Sequence, residues 1–128
     1  TLYGNQNTLP SGETITEAFN AISDLKCDAY LVNCGGVNLI TEGIKELRSL
    51  TDKRIGGYGN SEKIEISKEE RTDRPEEDHW SSATSITEKE YALETQVWVE
   101  EGASIVAGCC RTRPSHIKVI AETFREKD

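Results

Sequence analysis

Four segments of the chain carry a stripe of residues three and four positions apart, the spacing that places them on one face of a helix. The stripe is apolar in three of them, and in the third along the chain it consists of Tyr91, Glu94, Thr95 and Trp98. The first segment begins near Thr14, and the second ends near Leu50. The third follows Thr87, which opens a Thr-Glu-Lys-Glu capping box, and ends before Gly102. The fourth begins at Pro114, a residue suited to the first turn of a helix. The pattern therefore predicts four amphipathic helices.

Three short runs between these helices predict strands. Residues 29–32 and 105–107 are apolar and include β-branched or aromatic members. Residues 54–58 form the weakest run, because they contain two glycines and a single β-branched residue. The first run continues into Asn-Cys-Gly-Gly at 33–36, where the two glycines predict a sharp turn. Alternating strands and helices favour an α/β fold with a parallel sheet and right-handed crossovers.

Composition narrows the possible partners. The chain has 128 residues, a length normal for one domain, and a formal net charge of −8 without any basic cluster, which argues against a nucleic-acid partner. No apolar run approaches the roughly 18 residues that a membrane span needs, and no signal peptide is visible. We interpret the acidity as a contribution to solubility. The chain lacks methionine and opens on what resembles the end of a strand, so we expect a fragment or a processed product of a longer protein.

Four cysteines are present, and they allow either two disulfides or free thiols. The chain is larger than the usual disulfide scaffold, and the adjacent Cys109 and Cys110 would bridge each other only with strain. We therefore expect reduced thiols and a cytoplasmic location. Cys27 precedes its strand and is interpreted as a packing residue.

Residues 62–85 are rich in acidic side chains. A long loop of this kind is typical either of an active-site lid or of a solvated excursion. Trp80 and His79 are its large candidates for covering a pocket, and His79 is interpreted as a ligand, a proton carrier or an ordinary surface histidine.

Two cysteine motifs carry a family resemblance. Gly-Cys-Cys-Arg-Thr-x-Pro at 108–114 precedes a helix, and Val-Asn-Cys at 32–34 ends a strand. In this order and spacing, the motifs resemble those of the homocysteine S-methyltransferase family, and the likeness spans nearly the whole chain. One departure is the segment Tyr-Gly-Asn-Ser-Glu at 58–62, where the family usually has Tyr-Pro-Asn-Ser-Gly. This departure puts the shape of that loop and its substrate contacts in question.

The resemblance implies a (β/α)₈ TIM barrel, in which residues 1–128 would be the C-terminal part. A whole barrel takes about 250 residues, so the chain would supply about the last three and a half β/α units. A barrel brings the carboxyl ends of its strands to one face. Cys34 and the Cys109–Cys110 pair, at least 75 positions apart, are therefore expected to converge there.

Three converging thiolates would repel each other unless they shared a cation, and Zn²⁺ suits sulfur ligands in tetrahedral geometry. Three protein ligands, Cys34, Cys109 and Cys110, leave a fourth position open, as in catalytic sites. The resemblance implies that the homocysteine thiol takes this position, loses its proton and attacks the methyl group of a donor to give methionine.

Other features of the reaction are left open. Asn33, Asn60 and Arg111 are candidates either for orienting substrate and ligands or for stabilising turns. The family uses S-methylmethionine, S-adenosylmethionine, betaine or a methylated folate, and a single compact domain favours the first two. The expected partners are homocysteine and its donor, with a homo-oligomer or a missing N-terminal half as further possibilities. Two alternatives remain: an inactive zinc-binding half-barrel that needs a complementary half, and a thiol-redox protein whose vicinal cysteines form a disulfide.

Overall fold

The computed structural model describes residues 7–65 and 83–126. In this part of the chain the elements are α1 (Ile15–Ile22), β1 (Ala29–Gly36), α2 (Val37–Leu50), β2 (Arg54–Asn60), β3 (Glu62–Ile64), β4 (Ala83–Ser85), α3 (Glu88–Glu100), β5 (Ile105–Gly108) and α4 (Pro114–Arg125). The four predicted helices and three predicted strands are all confirmed. None of the helices in the described ranges is long and apolar enough to cross a membrane.

The predicted parallel sheet is confirmed, and it has the strand order β1-β2-β5. The segment with the weakest strand pattern, β2, is its central strand. The glycines that weaken the pattern serve close packing, since a side chain at Gly56 would collide with the backbone carbonyl of Ile105 on β5. Close approach of this kind is a common reason for glycine inside a strand.

The predicted glycine turn after residue 32 is wrong. Strand β1 runs on to Gly36, and both glycines belong to it. The left-handed backbone lies instead at Cys34, with φ of 59°, and the pairing with β2 shifts register between Asn33 and Gly36. Gly36 is needed for space, because a side chain there would meet Ile64.

The predicted loop at 62–85 is partly a hairpin base. β3 and β4 pair antiparallel at its two ends. The side-chain amide of Asn38, on α2, holds β3 by donating to the Ile64 carbonyl (2.7 Å) and accepting from the Ile64 N–H (3.0 Å). Residues 66–82, and with them His79 and Trp80, lie outside the described residues.

Helices α2 and α3 supply the largest buried side chains of the core. Ile40, Tyr91 and Trp98 are fully buried, and the Tyr91 and Trp98 rings pack edge to face at 5.7 Å. The indole N–H of Trp98 donates to Thr41 Oγ1 at 2.9 Å, which satisfies its one polar group. The predicted capping box at Thr87 is present, and Gly102 follows α3 with φ of 107°. The Trp98–Thr41 bond therefore joins α3 to α2 within the core.

Candidate metal centre

Three cysteine sulfurs meet at the carboxyl ends of the parallel strands. The Sγ atoms of Cys34, Cys109 and Cys110 all lie within 4.8 Å of one another, and we call them the thiol cluster. The Sγ atoms of Cys34 and Cys110 are 3.6 Å apart, although the residues are 76 positions apart in sequence. The fourth cysteine, Cys27, is half-buried against the hydrophobic core, in keeping with its interpretation as a packing residue.

Cys34 is presented by an irregularity in β1. Its left-handed backbone lies inside the register shift of the β1–β2 pairing, at the carboxyl end of the strand. In a regular strand the side chains of Asn33 and Cys34 would point to opposite faces of the sheet. The irregularity interrupts this alternation at Cys34. Asn33 itself is half-buried and pairs with Tyr58 of β2.

Cys109 and Cys110 lie in a tight turn after β5. The N–H of Cys109 donates to the Gly59 carbonyl at 2.8 Å, which continues the β2–β5 pairing one residue beyond the strand. The Thr112 hydroxyl and N–H then both donate to the Cys109 carbonyl, at 2.7 and 3.3 Å. Thr112 therefore folds back over Gly108, where any side chain would collide with it. This return of the chain allows both adjacent thiols to join the thiol cluster.

The peptide groups of Cys110 are held by the end of β2. Asn60 Oδ1 accepts from the Cys110 N–H at 3.1 Å, and the Ser61 N–H donates to the Cys110 carbonyl at 3.1 Å. Cys110 is exposed, so these two bonds from one neighbouring segment fix the backbone of an otherwise open turn.

Arg111 lies at the rim of the site. It is exposed, has φ of 61°, and forms an ion pair with Glu62 at 3.3 Å. Its guanidinium also donates to Ser85 Oγ at 3.3 Å, so it ties the turn at residues 109–112, which we call the thiol turn, to the base of the hairpin. The Glu62 carboxylate in turn accepts from the Asn60 amide at 3.2 Å. Asn60 and Arg111 are therefore linked through Glu62, a residue that the sequence did not single out for this role.

The surroundings of Cys34 favour its protonated form when no cation is present. Burial, followed by hydrogen bonding and charge repulsion from Cys109 and Cys110, raises the pKa of Cys34 to about 12. A divalent cation would reverse this preference, because its charge stabilises thiolates. Tetrahedral zinc with Zn–S bonds of about 2.3 Å requires sulfurs about 3.8 Å apart. The separations of 3.6 Å and at most 4.8 Å fit that requirement with small side-chain adjustments.

Two residues that support the site, Tyr91 and His116, were not predicted from the sequence to be parts of it. The Tyr91 hydroxyl accepts from the Gly59 N–H at 3.0 Å and lies 2.8 Å from the carbonyl oxygens of both Gly59 and Ala107. Burial raises the pKa of Tyr91, so it stays a neutral phenol. His116 is buried beside Ser61, with its Nε2 3.1 Å from Ser61 Oγ. For His116, the available signal in the sequence was a histidine in the first turn of the helix that begins at Pro114.

The chain is similar to known proteins over nearly its whole length. A family model described as homocysteine S-methyltransferase matches residues 1–124. Homocysteine S-methyltransferase 3 from Zea mays is 32% identical over 117 residues, which cover 91% of this chain and 32% of that protein. Selenocysteine Se-methyltransferase from Brassica oleracea var. italica is 32% identical over 112 residues, which cover 86% of this chain and 30% of that protein.

Among solved structures, the metallated form of the homocysteine methyltransferase MmuM from Escherichia coli superposes with a TM-score of 0.66 at 18% identity. The match covers 96% of this chain and 34% of MmuM. At this identity the likeness concerns the fold. The chain thus spans about one third of the length of the proteins that it matches.

Proposed function

This chain belongs to the homocysteine S-methyltransferase family, and we propose that it provides the zinc-binding part of an enzyme that methylates the thiol of homocysteine to give methionine. The observation that carries the proposal is the thiol cluster, whose three sulfurs come from the two motifs at 32–34 and 108–114. The name of the selenocysteine relative supports a wider substrate class of amino acids that carry a thiol or selenol.

We assign Cys34, Cys109 and Cys110 as the metal ligands. An all-sulfur donor set is soft and suits zinc better than magnesium or calcium, which prefer oxygen. Zinc bound here would stabilise the thiolate form of the substrate sulfur and so supply a nucleophile at neutral pH. Asn60 would serve by holding the Cys110 peptide, and Arg111 by tying the turn to β4. Asn33 precedes the ligand Cys34 and is a candidate for orienting substrate.

We also propose that residues 1–128 form the C-terminal part of a (β/α)₈ barrel. In the described residues, β1 and β5 each pair with β2 alone, so each has one further edge on which a strand could add. Beside β1 lies an apolar groove of about 280 Å³, and Leu31 at its wall is 38% exposed. A further β/α unit packed on this side would cover both features.

For the donor we favour S-methylmethionine or S-adenosylmethionine. Both are sulfonium compounds, and by analogy with the family a single compact domain favours donors of this class. Betaine and methylated folate are the competing donors. Because the ligands must stay reduced, the proposed location is the cytoplasm.

The test is zinc content, measured by elemental analysis of the purified and reduced chain. We expect about one zinc per chain in the parent and in Cys27→Ser, whose sulfur lies outside the thiol cluster, and little in Cys109→Ser. Methyl transfer to homocysteine would then be assayed with each of the four donors. A folded chain that takes up no zinc would contradict the assignment of the ligands.

The zinc result also separates the remaining alternatives. Zinc without turnover, and turnover once the preceding part of the enzyme is added, would identify a half-barrel that needs its complement. The redox alternative places a disulfide between the vicinal Cys109 and Cys110. The structure adds a second possible pair, because the Cys34 and Cys110 sulfurs are 3.6 Å apart and could form a disulfide after a small movement. The redox alternative predicts no zinc and a count of free thiols that falls by two under mild oxidation.

A further inference from the structure

His116 is a buried polar residue outside the thiol cluster. It lies in the first turn of α4, with 5% of its surface exposed, and its ring packs edge-on against Tyr91 at 5.6 Å. Its Nδ1 accepts from the Arg113 N–H at 3.0 Å. Since Nδ1 is an acceptor, the proton of the neutral ring is on Nε2, and it points to Ser61 Oγ at 3.1 Å.

Ser61 is completely engaged as a result. Its hydroxyl accepts from His116 and donates to the Ile86 carbonyl at 3.0 Å. Its backbone carbonyl accepts from the Ile86 N–H at 3.3 Å, and its own N–H donates to the Cys110 carbonyl. Ser61 is also buried, with 3% of its surface exposed. The residue whose N–H holds the Cys110 carbonyl is therefore itself held by His116 and by two bonds to Ile86.

We propose that His116 is a positioning residue for the metal centre. Its Nε2–H fixes Ser61, Ser61 fixes the Cys110 carbonyl, and the Cys110 sulfur is thereby held beside Cys34 before a metal arrives. This inference rests on the proposed zinc site. Groups that orient metal ligands through hydrogen bonds commonly contribute about 10- to 100-fold in metal affinity.

Two amide side chains separate this role from simple helix capping. Asparagine places its oxygen near the position of Nδ1, so His116→Asn keeps the bond from Arg113 and loses the bond to Ser61. Glutamine places its amide nitrogen near the position of Nε2, so His116→Gln keeps the donor to Ser61 and loses the cap. Ser61→Ala removes the acceptor and leaves the histidine in place.

The experiment measures zinc affinity of the full chain by competition with a coloured chelator, and the absorption of the Co²⁺-loaded chain, which reports thiolate ligation. We expect His116→Asn and Ser61→Ala to bind zinc about 10- to 100-fold more weakly with an altered cobalt spectrum, and His116→Gln to remain near the parent.

The opposite order, with His116→Gln weakened and His116→Asn unchanged, would overturn the inference and leave only a capping role. Parent affinity in both His116→Asn and Ser61→Ala would overturn it as well. In either case the zinc site itself would stand. Absence of zinc binding by the parent chain would instead overturn the proposed function, and this inference with it.

Discussion

The buried hydroxyl of Tyr91 gives a sharp test of how the strand ends are held. Tyr91→Phe removes one oxygen from a site with no solvent exposure and leaves the ring in place. That oxygen accepts from the Gly59 N–H and has one proton to share between the carbonyls of Gly59 and Ala107. At about 0.5 to 1.5 kcal/mol for each hydrogen bond, the loss of one donor and one acceptor bond is about 1 to 3 kcal/mol.

The measurement is urea unfolding of the metal-free chain, in which 2 kcal/mol corresponds to a shift in midpoint of about 1 M. Tyr58→Phe is the matched control, because Tyr58 is half-buried on β2 next to Gly59, and its hydroxyl makes no hydrogen bond with the described residues. We expect the control to change stability by less than about 0.5 kcal/mol. Equal losses in the two variants would refute the reasoning that the Tyr91 hydroxyl joins β2 to β5. Because the Cys109 N–H also bonds to Gly59, Tyr91→Phe should weaken zinc binding too.

Three further predictions concern Cys34, the thiol turn and the opposite end of the sheet. The pKa of Cys34 is raised to about 12, so zinc must displace its proton at neutral pH. The logarithm of the zinc association constant should therefore rise by at least one per pH unit between about pH 6 and 8. An association constant that does not change with pH, measured by chelator competition, would contradict this. Gly108→Ala should weaken zinc binding measured in the same way, since the new methyl group collides with Thr112, and unchanged affinity would contradict the packing argument. Arg48→Met removes the donors to the Gly102 carbonyl and to two other carbonyls. Urea unfolding should then show a free energy of unfolding lower by about 1 to 3 kcal/mol, while zinc affinity stays the same. Arg48→Lys should not restore stability, because lysine lacks the forked donors of arginine.

Helical periodicity and the two cysteine motifs made much of the fold predictable. Three helices were predictable from their apolar faces, and the capping box at Thr87 marked the start of α3. Strand β2 was only weakly predicted, because its glycines lower the local strand propensity. Their role in close packing is apparent only from the position of β5. Strand propensity is judged from the sequence of one strand, whereas close packing depends on two neighbouring strands.

The turn at Cys34 shows why glycine alone was a poor guide. Two glycines at 35–36 suggested that the unusual backbone would be there, and the structure has it at the cysteine. Glycine serves both left-handed backbone and close approach, and Gly36 serves the second by making room for Ile64 of β3. The partner that decides between these uses is 28 residues further along the chain, and its strand has no apolar pattern to announce it.

The position of β2 explains how one metal site can depend on so many backbone bonds. The thiols come from the ends of the strands on either side of it, while β2 and the residue after it hold the Cys109 and Cys110 peptides through Gly59, Asn60 and Ser61. A cation bound by the thiol cluster would cross-link β1 to β5 over this central strand. Ligands that bind only the folded state stabilise it, by about 4 kcal/mol at a thousandfold excess over Kd. Folding and metal affinity should therefore vary together whenever the end of β2 is disturbed, and separately when the change lies at its other end, near Arg48.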